Sequence, residues 1–467
     1  MDLIKKTYIF IFLLGIFFLP FNSEVPGFMS FLGEYSSDSA PIFFLIAFIV
    51  LFIHDLLRFK ISLPFAHPIY QAFFMFFIFI VVAAFFNFFN ISEYYFKHTS
   101  GWVRYLKQLI SVILAYFMLF YLFYNVCINL GVIKTFFVVR KTMFWSLIVV
   151  FIVGLIQFLI YSGVTQLIGV YQLFDYLPFT RPTLYFELKR VNATAWRPPD
   201  LGIYVISISG FIFSYILTNK KWYRFIPFLL VIFLSVVSKS RTALVTVFLQ
   251  LIFLGYFSYK NYYLFRNIFR KIVILLVCIL PVVLMLKGDI IYDTINERIE
   301  SLNFTDTKSD NARSNQSRFG IQYANFQVFK KYPITGIGWG QQAFESKELY
   351  PEWATKGNYE FKAYYLNEDV KSFPPGYNLY IRILAETGIL GFIFFIMFLS
   401  LTFYYTYKFL NSNEGYNYIG ITLYVVFFGT LLMWLQIDSF RIYIFWLGLA
   451  MLICLRRIGN LGNNVKW

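Results

Sequence analysis

The sequence predicts an all-α polytopic membrane protein of about 12 transmembrane helices, with a long structured outer-face loop between spans 9 and 10. Three observations carry this. Of 467 residues, 59% are hydrophobic and only 14% charged, with a mean hydropathy of +0.65, where a soluble domain is about a quarter charged. The apolar residues come in runs of near-spanning length, separated by short connections. One stretch, residues 288–376, breaks that pattern by being both long and polar.

In order, the runs fall at 7–20, 41–57, 69–89, 108–130, 142–162, 200–218, 222–238, 241–258, 272–287, 388–408, 416–436 and 441–456. A helix crosses the hydrocarbon core with about 20 apolar residues, within a range of roughly 17 to 25. Most runs meet that length; the first and the last two are short or interrupted. The first follows Lys5 and Lys6 and has no small-residue cleavage site, so it reads as a retained helix rather than a signal peptide. The chain then divides into a membrane bundle of spans 1–9 over residues 1–287, with an outer loop at 163–199. The long loop follows at 288–376 with an amphipathic helix, and residues 377–467 hold an interfacial helix and spans 10–12. No internal repeat of fixed period is present.

Twelve spans put both termini on one side, and charge says which. The connections on that side, among them 134–141, 220–224 and 260–271, carry eighteen of the 40 Lys and Arg residues against only Asp2, Asp55 and Glu414. The positive-inside rule makes this the cytoplasmic side, so both termini are cytoplasmic and the long loop lies outside. The formal charge of +16 is therefore a topology signal, and no nucleic-acid partner follows. Cys127, Cys278 and Cys454 all lie within apolar runs and read as small buried hydrophobes. The 61 Phe and 36 Tyr residues read as compositional bias rather than as an aromatic binding surface. Asn192-Ala193-Thr194 fits the glycosylation pattern and reads as a chance match.

The polar stretch runs NARSNQSRFGIQYANFQVFKKYPITGIGWGQ from Asn311, then a polar segment, then PPGYNLYIRILAETGILG to Gly391. Phe319, Tyr323, Phe326 and Phe329 are spaced to share one helical face, with Arg318, Gln322 and Asn325 on a neighbouring polar one. Pro333 ends that helix. Gly336, Gly338 and Gly340 then let the backbone turn tightly or approach a ligand. Asn378, Glu386, Gly388 and Gly391 lead into the next apolar run.

Arg318 with its helix, PITGIGWG and YNLYIRILAETGILGFIFF together resemble the outer loop of the O-antigen ligase and O-antigen polymerase superfamily. Those are bacterial membrane glycosyltransferases that act on lipid-linked glycans. Residues 190–202, RVNATAWRPPDLG, are similar to the family's Arg…Pro…Gly entry into a middle helix, and SRTALV at 240–245 is similar to its Ser-Arg helix start. The matches keep the family's order over roughly residues 190 to 395. The resemblance implies a GT-C-like helical bundle in the bacterial inner membrane, with a groove under the loop open sideways to lipid. It implies a glycan donor on undecaprenyl diphosphate, no cofactor and no metal, and as partners membrane lipid and a chain-length regulator protein. The chain also departs from the pattern. Ligases of the family place a histidine before the asparagine that corresponds to Asn378, where this chain has Tyr377. A family glycine corresponds to Ala193 or Thr194, and a family asparagine to Asp200.

The outer side holds no histidine but His98, which argues against a zinc site. There is no nucleophile elbow, no P-loop and no Asp-x-Asp pair. What the outer side offers is arginine beside membrane ends. A guanidinium donates two parallel hydrogen bonds to phosphate oxygens and stays charged. Fixed cations near a departing diphosphate stabilise the developing negative charge without a metal. The resemblance places Arg190, Arg241 and Arg318 at family-matching positions, with Arg197, Gln322, Gly338 and Asn378 as further substrate contacts. For the acceptor proton, Tyr377 is a poor base, which leaves the carboxylates Asp200 and Glu386. The first function expected is a polysaccharide polymerase, with a ligase to lipid A core or protein as the near alternative. A lipid-linked oligosaccharide flippase is the alternative of a different class, and the long polar loop argues against it.

Overall fold

The computed structural model describes residues 3–187, 189–219, 221–261, 310–356, 358–370, 372–412 and 414–462, with Asn296 alone between the third and fourth segments. The principal helices are α1 (Leu3–Phe17), α2 (Ala40–Leu57), α3 (Pro68–Phe86), α4 (Gly101–Leu130), α5 (Val132–Tyr161) and α6 (Pro198–Thr218). They continue as α7 (Ile226–Val237), α8 (Arg241–Asn261), α9 (Asp310–Lys331), α10 (Leu379–Ser412), α11 (Asn417–Met433) and α12 (Tyr443–Gly462). Proline sits in the first turn of α2, α3, α6 and α7, where its missing N–H has no intrahelical partner to lose.

Seven of these helices, α2 to α6, α8 and α10, are long and apolar enough to cross a membrane, and α7, α11 and α12 are shorter apolar helices. The run at 7–20 forms a helix of 15 residues, α1, and the run at 272–287 lies outside the described residues, as does Cys278. Cys127 and Cys454 are free and buried, as small hydrophobes in apolar runs should be. A polar seam joins three helices. Gln250 of α8 donates to the carbonyls of Ile206 in α6 and Val425 in α11, and accepts from Ser209. Gly210 and Gly429 let those helices close: a Cβ on Gly210 would lie 2.7 Å from Val426, and one on Gly429 2.0 Å from Gln250. Small residues at helix contacts are the usual device where lipid surrounds the bundle.

The connections sort to two ends. Asn22 N donates to Thr194 O (3.3 Å), Glu24 N to Phe179 O (3.2 Å) and Val191 N to Val237 O (3.2 Å). Gln341 Nε2 donates to Gly101 O (3.0 Å), and Leu379 N to Trp434 O (2.9 Å). These contacts gather 18–39, 87–100, 162–197, 238–240, 310–378 and 434–442 at one end of the bundle. At the other end Asn125 reaches Ser62 O, Tyr121 reaches Asp55, and Arg140 reaches Thr218. From α1 to α8, and again from α10 to α12, successive helices therefore run in opposite directions. α4 has 30 residues, about 45 Å at the helical rise, and its first two turns stand under the 310–378 segment.

α9 forms over the stretch where the aromatic spacing predicts a helix, and most of its aromatic face is the outer one. Phe319, Tyr323 and Phe326 are exposed, while Ile321, Ala324 and Val328 are buried. The reason is steric: α9 approaches its neighbours through Gly320, whose Cβ would lie 2.5 Å from Ala354. Only the face with small side chains fits that approach.

Candidate functional site

The site is positioned by a break in α10. Gly388 has φ 62 and ψ −166 inside that helix, a region open essentially to glycine alone. The break frees peptide groups, and the 333–340 loop takes them. Ile389 N donates to Pro333 O (2.9 Å), Ile337 N to Ala385 O (3.1 Å) and Gly338 N to Glu386 O (2.9 Å). Gly336, Gly338 and Gly340 all have positive φ, and a Cβ on Gly336 would lie 2.4 Å from the Glu386 backbone. These glycines serve the approach of the loop to α10.

Beneath the loop lies a buried charge network. Arg382 is 3% exposed and Glu386 0%. Arg382 Nε donates to Glu386 Oε2 (3.1 Å), its Nη1 to the Asp438 carbonyl (2.6 Å), and its Nη2 to Gln108 Oε1. Glu34 Oε1 lies 3.8 Å from Arg382 Nη1, and the Trp339 ring centroid 4.7 Å from its guanidinium carbon. Arg441 Nη1 donates to Glu34 O (2.6 Å) and lies 4.0 Å from Asp38 Oδ2. Burial by itself raises the Glu34 carboxyl, but Arg382, Arg441 and Arg104 outweigh it and hold it below its ordinary value.

A second cluster sits beside the first, nearer the loop surface. Arg318 Nη1 donates to Gln436 Oε1 (2.7 Å), and its guanidinium lies 5.5 Å from the Tyr377 ring centroid. The Tyr377 hydroxyl bonds both carboxylate oxygens of Glu360, at 3.0 and 2.9 Å. Arg197 Nε donates to Asp200 Oδ2 (3.2 Å), and its charge also acts on Glu360. Burial raises the Glu360 carboxyl above its ordinary value against the opposing pull of Tyr377, Arg318 and Arg197. Burial and then Glu360 raise the Tyr377 hydroxyl, so that it stays protonated. Between the clusters a cavity of about 130 Å³ is lined by Asp38, Trp196, Arg197, Asp200, Arg441 and Tyr443, among others. It holds two arginines and two carboxylates against an apolar wall, a surface that can take a charged, hydroxyl-bearing ligand.

The structure thus brings Arg318, Tyr377, Arg197 and Asp200 together. Arg190 is half-buried, and the Val191–Val237 bond sets it beside the α7–α8 hairpin that carries Lys239 and Arg241. Arg241 is exposed at the start of α8. Gln322 is half-buried on α9, one turn beyond Arg318. Asn378 Oδ1 accepts from Tyr380 N (3.0 Å) and Ile381 N (3.2 Å), capping the first half of α10. Gly338 serves loop packing, and Glu386 is enclosed with Arg382. Ala193 has φ 50, so it, and not Thr194, occupies a conformation that favours glycine. Asn192 is fully buried and bonded to Gln157 and Ala195, which closes it to glycosylation.

Glu360, Arg382, Glu34, Asp38, Asp438 and Arg441 were not singled out from the sequence. Arg382 and Glu386 have the i, i+4 spacing of a helical ion pair, and Glu34, Asp38, Asp438 and Arg441 are ionisable groups beside span ends, which mark functional sites in membrane proteins. Glu360 carries no such signal. A family model described as O-antigen ligase matches residues 226–396, from α7 to the second half of α10. No curated protein matches the chain.

Proposed function

We propose, from the match of residues 226–396 to a family model described as O-antigen ligase, that this chain belongs to the O-antigen ligase and polymerase superfamily and is a polysaccharide polymerase of the bacterial inner membrane. It transfers a growing O-antigen, capsule or exopolysaccharide chain from undecaprenyl diphosphate to a second lipid-linked repeat unit on the outer face. The observation that carries this reading is the meeting of Arg197 and Arg441, from distant parts of the chain, on one cavity at the loop end, with Arg318 bonded to Gln436 beside the lining residue Ile437. Diphosphate is a good leaving group once its charge is met, and guanidinium groups meet it with paired hydrogen bonds. The reaction then needs neither metal nor ATP. Arg241 on the neighbouring α7–α8 hairpin, with Arg190 beside that hairpin, meets the carrier's headgroup region. Tyr377, standing where ligases of the family carry histidine, favours polymerase.

The family description itself favours a second reading, a ligase that moves the glycan to lipid A core or protein. A deletion strain separates the two. Lipopolysaccharide capped with a single repeat identifies a polymerase, and loss of every capped form identifies a ligase. Within either reading, Arg318→Lys keeps the charge but loses the paired donors and the stacking on Tyr377. It should lower transfer by about a hundredfold while the protein inserts and accumulates normally. Transfer at the wild-type rate would remove Arg318 from the donor site.

A further inference from the structure

We propose that Glu360, held by Tyr377, takes the proton from the acceptor hydroxyl. This rests on the transferase reading above. A glycosyl acceptor is a sugar alcohol, too weak a nucleophile unless its proton is withdrawn as it attacks. In the step, the hydroxyl proton passes to a Glu360 carboxylate oxygen. The freed oxygen pair forms the bond to the anomeric carbon, and the bond from that carbon to the diphosphate breaks with its electrons leaving on the diphosphate. Arg318 and Arg197 receive that charge.

Other groups fit the role less well. Glu386 is fully enclosed and paired with Arg382. Asp200 is bonded to Arg197 at 3.2 Å. Asp38 accepts from Tyr443 at 2.7 Å and lies 4.0 Å from Arg441. Tyr377 is a donor whose hydroxyl keeps its proton. Of these groups, Glu360 combines half-burial, a neutral hydrogen-bond partner and a place next to Arg318. The backbone at Tyr377 has φ 53, an uncommon conformation for a bulky residue, and such strain concentrates at functional positions. Here it holds the phenol on Glu360. The charged and titratable groups acting on Glu360 are Tyr377, Arg318 and Arg197, and it acts in turn on Tyr364 and Tyr350. Burial sets its carboxyl above the ordinary range, the direction that suits a base working near neutral pH.

The test uses the full-length protein in detergent or nanodiscs with a lipid-linked repeat unit, and binding of undecaprenyl diphosphate as a separate readout. Glu360→Gln should lower transfer by about a hundredfold or more and leave undecaprenyl diphosphate binding within about threefold. Tyr377→Phe removes a donor that stabilises the carboxylate. Its transfer should persist within about tenfold, with the loss of activity on acidification displaced to higher pH. Glu360→Gln transferring within about threefold of wild type overturns the proposal and passes the role to Asp38 or Asp200. So does an unchanged pH profile in Tyr377→Phe, which remains measurable if Glu360→Gln does not fold. A wild-type protein that transfers nothing from the lipid-linked repeat sinks the transferase reading itself, which is a different failure.

Discussion

Arg382 shows how much a single residue carries here. Its guanidinium serves Glu386, Gln108 and Asp438 from three elements, and Glu34 from a fourth lies within 4 Å. Removing one partner of a buried ion pair leaves the other charge without compensation, at about 3–5 kcal/mol. Arg382→Met should therefore unfold the protein at lower temperature or prevent its accumulation, and Arg382→Met with Glu386→Gln should recover part of the loss. Thermal unfolding in detergent reads both. A double variant no better than the single would mean that Arg382 matters through Glu34 and Asp438 instead. Glu34 adds a pH dependence of known sign. Its carboxyl is lowered in the fold, so its contribution is present above the ordinary carboxylate range and is lost as pH falls through the folded value.

At the scale of the element, the break in α10 organises the site. Its first half carries Arg382 and Glu386, and its second half is a membrane-length apolar helix. The loop at 333–340 seals the junction. A Cβ on Gly388 would lie 2.3 Å from the Ile334 carbonyl oxygen, in a backbone conformation costing about 1–3 kcal/mol for any other residue. Gly388→Ala should thus destabilise by at least that amount and lower transfer, since it displaces both halves of the seal. Gly169→Ala is the control, because nothing lies within 4 Å of its added methyl, and it should behave as wild type. Equal melting temperatures for the two variants would show that α10 tolerates a regular helix at Gly388.

For the whole molecule, the decisive property is that the chain alternates between two ends while its charge does not distribute evenly. The end that gathers 162–197, 310–378 and 434–442 is the end the basic-residue count assigns to the outside. Reporter fusions after Lys141 and Lys221 should report cytoplasm, and a fusion near Lys356 the outer side. A cytoplasmic signal at Lys356 would overturn both the topology and the use of an outer-face lipid-linked donor.

The sequence by itself determined the class of molecule, a mostly helical chain with several apolar helices of membrane length. Apolar length and basic asymmetry are summed properties, and no single contact has to be known to read them. The helix from Arg318, its stop at Pro333 and the turning glycines were legible for the same reason: each depends on local backbone chemistry. Which face of α9 is buried was not, because that follows from how closely Gly320 approaches Ala354. Nor could local pattern show that Glu360 meets Tyr377, or that Glu34 and Arg441 close around Arg382. Those partners lie from 17 to 407 residues apart, and a lone charge in a short loop looks the same whether it is solvated or paired. Only the tertiary structure decides that, because a buried charge is stable only where distant segments bring it a partner.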